Sequence, residues 1–330
     1  MLPEEFVLDS MSSIKTLCLS SNMCSVKTEY DTKIVFHCLG RRVNQLKVLH
    51  LVGDTICYSS HSELPGIPLR VIKAPESEMY PQIGVKTDNN IKFFNLDEGR
   101  LLLVDKLLEI DDDDPIVNCD WNPCDPNNIV TMKSYNECII WDYMLKSVIR
   151  RITSDNVGLP HIVHQPIPRF GNGIMKDVLI HLETMGNVVL SDIRSPRSQK
   201  VYNFTDEIIL GMEYSGFHSV VFRSRQAVTL IDVRFMKRKF DSYTCQDEIT
   251  DFSVLPDFAD VYISTATGKI IKWLVICNKH YKIKDSHYVH RIHCPPLHSN
   301  NIIAAVKSET GYSVNVYKLR ETYSYTNKSF

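Results

Sequence analysis

At 330 residues the chain exceeds the roughly 250–300 that a single hydrophobic core sustains, so it must either divide into two domains or repeat a unit. Its 44% hydrophobic and 23% charged residues are ordinary for a globular protein with material for a sizeable core. A formal charge of -2 gives no support to a global nucleic-acid or membrane partner.

The N-terminal segment MLPEEFVLDS has no basic stretch followed by an apolar one, which argues against a secretory signal. Apolar runs such as Ile302–Val306 are strand-sized, well short of the roughly 18 residues that span a bilayer. The ten cysteines are scattered and contain no CxxC pair, so free thiols are expected. Two glycosylation patterns, at Asn203 and Asn327, carry no weight in a cytoplasmic or nuclear chain, the setting expected here.

In chain order, short β-branched runs alternate with Gly, Asn, Asp and Pro turns, and helical periodicity is almost absent. The clearest unit is residues 115–152. Ile116–Trp121, Ile129–Lys133, Glu137–Asp142 and Lys146–Ile152 read as four strands separated by polar turns. The third run of this unit, ending in Trp141-Asp142, has counterparts elsewhere. They are KVLHL, IKFFNL, VVLSDI, VTLIDV, IIKWLV and VNVYKL. The second residue of each matching pair falls at 51, 95, 142, 192, 232, 274 and 318. The spacings of 44, 47, 50, 40, 42 and 44 lie in or near the range of roughly 40–45 residues expected of a propeller blade. Upstream runs recur too: IKTLCLS, LRVIKA, IVNCDW, EIILGMEY, ITDFSVL and YVHRIHC, with HIVHQPIPRFG the weakest. Two β-sandwiches would not explain so regular a repeat.

The segments CDWNPCDPNNIV and CIIWDY, with the tripeptides DIR and DVR, resemble the WD-repeat family, and the resemblance covers essentially the whole chain. It implies an all-β fold, a seven-bladed WD40-like β-propeller occupying 1–330 as one domain. The blades would fall near 13–53, 66–107, 115–152, 160–204, 207–240, 247–283 and 287–321. It also implies ring closure by an N-terminal strand, for which Glu5–Asp9 or Ile14–Leu19 would serve. Trp-Asp occurs once and the Gly-His dipeptide is absent, so the family's Trp–Ser/Thr–His–Asp network is expected to be incomplete in every blade, with Asn136 where an Asp is wanted. Blade stability should then rest mostly on apolar packing between sheets.

No nucleophile, base or metal constellation with a clear context emerges, so no catalytic, cofactor or metal residues are expected, and no small-molecule substrate. TATGK at 265–269 lacks the phosphate-loop pattern and reads as a turn. In HYVHRIHC, strand alternation would put His287 and His293 on one face and His290 on the other, a poor arrangement for zinc. The acidic run Glu109–Asp114 contains Asp111, Asp112, Asp113 and Asp114; it reads as a solvated loop that would also attract a basic peptide. Arg223, Arg225, Arg234, Lys237, Arg238 and Lys239 read as cations spread over a strand edge and a loop.

The DIR and DVR tripeptides place Arg194 and Arg234 at matching positions of consecutive units. This resembles the paired DxR feature of propellers that serve as substrate receptors of cullin-based ubiquitin ligases, in which the arginines face the adaptor. The resulting expectation is a non-enzymatic interaction scaffold, a subunit of a multiprotein complex whose partners are other proteins or peptides. The alternative is a ligase receptor bound to an adaptor.

Overall fold

The computed structural model describes residues 5–16, 23–27, 32–39, 44–52, 55–64, 70–75, 81–87, 90–97, 100–108, 116–133, 137–153, 167–170, 177–183, 187–195, 198–203, 208–215, 218–234, 239–255, 260–275, 279–285, 288–294, 301–308 and 311–322. Their regular structure is almost entirely β-strand, gathered into antiparallel four-stranded sheets.

The first sheet comprises β2 (Cys24–Lys27), β3 (Thr32–Leu39), β4 (Asn44–Val52) and β5 (Thr55–Leu64). The second holds β6 (Arg70–Lys73), β7 (Ile83–Lys86), β8 (Asn90–Asp97) and β9 (Arg100–Leu108). In the third are β10 (Ile116–Trp121), β11 (Asn128–Lys133), β12 (Cys138–Asp142) and β13 (Ser147–Ile152). The fourth is β14 (Ile167–Phe170), β15 (Val178–Leu182), β16 (Asn187–Asp192) and β17 (Ser198–Asn203). Strands β18 (Gly211–Tyr214), β19 (Ser219–Arg223), β20 (Ala227–Asp232) and β21 (Lys239–Thr244) form the fifth. The sixth contains β22 (Ile249–Leu255), β23 (Asp260–Thr265), β24 (Lys269–Leu274) and β25 (Lys279–Asp285). A last sheet is assembled from both ends of the chain: β26 (Tyr288–His293), β27 (Asn301–Ser308), β28 (Gly311–Thr322) and, outermost, β1 (Glu5–Thr16).

The first strands of successive sheets touch one another, β2 with β6, β6 with β10, and so on to β22 with β26. They therefore surround a common axis, and the fourth strands form the rim. This is a β-propeller. The expected count was seven blades. Judged as blades the count is six, while the antiparallel sheets among the described residues number seven. Six sheets are continuous in the chain, and the seventh is the composite one that joins its ends.

Each pair of neighbouring sheets encloses its own apolar cluster. Phe93, Trp121, Ile129 and Trp141 pack between the second and third sheets. Phe252, Ile263 and Trp273 pack with Val221 and Leu230 between the fifth and sixth. Ile34, Phe36 and Leu49 of the first sheet meet Ile303, Val314 and Val316 of the last, which closes the ring. Adjacent residues of one strand serve different clusters: Phe93 faces the third sheet and Phe94 the first, and Ile302 and Ile303 divide in the same way. Since alternate side chains leave a strand on opposite faces, and both faces are covered, second and third strands carry adjacent apolar residues, such as Phe93-Phe94 and Ile302-Ile303, instead of a strict apolar–polar alternation.

The sequence positions 51, 95, 142, 192, 232, 274 and 318 all fall on the third strand of a sheet. The run IKTLCLS does not open the first sheet, as the sequence suggested: β1 ends at Thr16 and pairs with β28, Glu5 opposite Thr322 and Thr16 opposite Tyr312. Every sheet also carries a register shift where its third strand pairs with its outermost one, as between Ile140 and Trp141 or Leu230 and Ile231. Such bulges sharpen the local twist and turn the rim strand away from edge-to-edge pairing.

Candidate protein-interaction surface

Turns from third to fourth strands lie at one end of the antiparallel sheets, beside the turns from first to second strands. Arg194 and Arg234 sit in two of these turns, and the two are built alike. Asp192, at the end of β16, accepts the backbone N–H of Arg194 on Oδ1 at 2.8 Å. Asp232, at the end of β20, accepts that of Arg234 at 2.9 Å. Each carboxylate also grips the arginine side chain at both ends. Arg194 donates Nε to Oδ1 at 3.1 Å and Nη2 to Oδ2 at 3.0 Å. For Arg234 the distances are 3.0 and 2.6 Å.

The middle residue anchors each turn. Ile193 N–H donates to the Asp177 carbonyl at 2.8 Å, and Val233 N–H to that of His218 at 2.7 Å. Their side chains pack onto the neighbouring cores, which explains why an apolar residue separates Asp from Arg. The arginine hydrogen bonds hold Asp192 and Asp232 below the usual carboxylate range. Both guanidiniums remain open to solvent, 68% exposed at Arg194 and 53% at Arg234. Arg194 also reaches Asp177 at 3.2 Å. In the third sheet the equivalent turn carries Met144 where the others have arginine, and Asp142 instead accepts the N–H of Leu145 at 2.8 Å.

The other candidate residues separate from these. Asp111, Asp112, Asp113, Asp114, Lys237 and Arg238 lie outside the described residues. Arg223 is not part of a charged strand edge: it is 8% exposed and donates to the Ile249 carbonyl of the next sheet at 2.8 Å and to that of Leu210 at 3.3 Å. Its neighbour Arg225 is exposed and pairs with Glu248 at 3.2 Å. The 265–269 segment is the turn expected, with Gly268 at φ 87 and Lys269 paired to Asp247 at 2.6 Å. His287 lies outside the described residues. A bulge at His290 breaks the alternation the sequence suggested, so His290 stacks on Tyr288 while the Nε2 atom of His293 is buried.

Polar contacts between sheets were not legible in the sequence. Arg70 donates to Asn118 Oδ1 at 2.8 Å, and Thr250 to the Val289 carbonyl at 2.6 Å. Asp251 accepts the Ile292 N–H at 3.1 Å, and Ser253 that of Cys294 at 3.1 Å. Within the third sheet, buried Trp141 donates Nε1 to Thr131 Oγ1 at 2.8 Å. A buried trio joins the third and fourth sheets: His181, Glu183 and Cys138. Glu183 lies 3.8 Å from His181 and accepts Asn187 Nδ2 at 3.0 Å. Burial disfavours the imidazolium, but Cys138 and Glu183 outweigh it and raise His181 to about 10. All three side chains are buried, and they clasp the two sheets together.

Among the described residues no group of three or more His, Cys, Asp or Glu is placed to hold a metal, and no helix is long and apolar enough to cross a membrane. No protein-family model matches the chain, and no curated protein matches it.

Proposed function

We propose that the protein is a non-catalytic interaction scaffold of the cytoplasm or nucleus, a seven-bladed propeller of the WD-repeat kind that serves as a subunit of a multiprotein complex. What supports a count of seven is that the composite sheet buries apolar clusters against both of its neighbours. The observation that carries the reading is the pair of matching turns. Two exposed guanidiniums stand on consecutive sheets, each pre-positioned by its own aspartate. Holding a long side chain in place before contact lowers the ordering cost of binding, and arginine is favoured at interfaces for its planar set of donors. A second reading, substrate receptor of a cullin-based ubiquitin ligase, is favoured by the repetition of Asp-x-Arg at both turns; there the arginines would meet an adaptor.

The test is affinity purification of the tagged protein with Arg194→Glu and Arg234→Glu combined, beside a milder Arg194→Gln, Arg234→Gln pair. Loss of a stable set of partners at unchanged melting temperature is the expected result. Loss of a cullin adaptor in particular would select the second reading. Retention of every partner by both variants would remove these turns from the interface and the reading with them.

A further inference from the structure

Rim strand β13 holds one cation where strict alternation would not place it. Val148 lies opposite Trp141 and packs on the core shared with the second sheet. Counting alternate residues from Val148 would send Arg150 the same way. The register shift intervenes. Ile149 has no opposite residue on β12 and is 51% exposed, and Arg150 lies opposite Ile140. Ile140 belongs to the cluster between the third and fourth sheets, so Arg150 shares that side. A bulge re-aims a side chain in this way.

What Arg150 reaches is the turn that carries Arg194. Half-buried, it donates Nη1 to the Ile193 carbonyl at 2.9 Å and, more weakly, to the Asp192 carbonyl at 3.5 Å. The backbone from Ile193 to Arg194 is thereby engaged throughout. Ile193 N–H donates to the Asp177 carbonyl, Ile193 C=O accepts Arg150, and Arg194 N–H donates to Asp192 Oδ1. The peptide between Ile193 and Arg194 is held at both of its polar ends, and from two different sheets. Ser195 N–H closes the turn on the Asp192 carbonyl at 3.0 Å. In the fifth sheet, Val233 and Arg234 are braced by His218 and Asp232 of their own sheet, which makes that turn an internal reference.

We propose that Arg150 is a positioning residue for Arg194. By fixing the peptide that precedes it, Arg150 sets the direction in which the Arg194 guanidinium leaves the fourth sheet, and so tunes partner binding without touching the partner. This rests on the reading of the arginine turns as an interface. A turn whose backbone is already fixed loses less freedom when a partner arrives, so the binding advantage of Arg194 depends on a residue of the neighbouring sheet. The planar guanidinium suits the task, since one fork of donors meets two successive carbonyls.

Amide hydrogen exchange of the full chain, followed residue by residue by NMR, tests this hold without any partner. Arg150→Met keeps most of the stem and removes the donors. Arg194 N–H should then exchange about fivefold faster, the factor that one hydrogen bond of ordinary net strength supplies, while Arg234 N–H keeps its rate. Equal exchange at Arg194 in both proteins overturns the proposal. So does a rise of the same size at Arg234, which would make Arg150 a packing residue only. Affinity purification reads the consequence for binding. Arg150→Met should lower the yield of the partners that Arg194→Gln loses, and the two substitutions together should lose no more than Arg194→Gln alone. Full yield with Arg150→Met, where Arg194→Gln loses partners, also overturns the proposal. Retention of every partner by Arg194→Gln would instead defeat the interface reading, a result on which the exchange measurement does not depend. Should Arg150→Met fail to fold, Arg150→Lys, with its charge on a shorter stem, carries the same comparisons.

Discussion

The Trp141–Thr131 hydrogen bond joins neighbouring strands of the third sheet, and both partners are buried. Trp141→Phe keeps an aromatic ring in the apolar cluster between the second and third sheets but leaves the Thr131 hydroxyl without its donor. The expected loss is about 1 kcal/mol in urea unfolding, the usual net worth of one intramolecular hydrogen bond. Two histidines show how placement overrides residue type. His293 is pulled down to about 4, first by burial and then by Lys73. The folded protein thus holds it neutral, while the unfolded chain protonates it near the ordinary 6.5. Its contribution is present above pH 6.5 and lost as pH falls toward 4. His181 has the opposite sign. Its folded value is raised, so its contribution is full below pH 6.5 and lost as pH rises toward about 10. Urea midpoints measured across pH should therefore decline at both ends. His293→Gln should flatten the acid limb and leave the alkaline one, because the two histidines belong to separate sheets.

At the scale of elements, the strands with both faces covered were the legible ones. Runs such as Val228–Ile231 and Ile270–Trp273 are mostly apolar, Thr229 and Lys272 excepted, because Leu230 and Ile231, and Ile270 and Ile271, enter different inter-sheet cores. A rim strand has no such signature, since one face and one edge meet solvent, and a bulge in its pairing leaves no mark in composition. Strand β1 shows the cost of that silence. Its Ile14–Thr16 portion has two readings in the sequence, the start of the first unit or the strand that closes the ring, and it pairs with β28 at the other end of the chain. That pairing runs the length of β1, so the strand is the latch of the ring. Removing residues 1–16 should expose the outer edge of β28, broaden the thermal transition and admit proteolysis within β26–β28. Adding a synthetic peptide of residues 5–16 should restore a single sharp transition. An unaltered melt after truncation would show that the apolar cluster between first and last sheets closes the ring alone.

For the whole molecule, the recurrence near 44 residues and the absence of helical periodicity were enough to place a propeller, because a short sheet unit that hides both faces must stack against copies of itself. The twin Asp-x-Arg turns could be located from sequence as well, since a carboxylate two residues before an arginine forms a local contact that needs no distant partner. What the tertiary structure alone decided involves residues far apart in the chain. It placed Arg223 under the carbonyl of Ile249 instead of on a basic edge. It joined His181 to Cys138 across two sheets. It left Leu102, Leu103 and Val104 on an open rim. Local patterns report which faces of a strand are greasy; which other strand covers each face is set only when the ring closes.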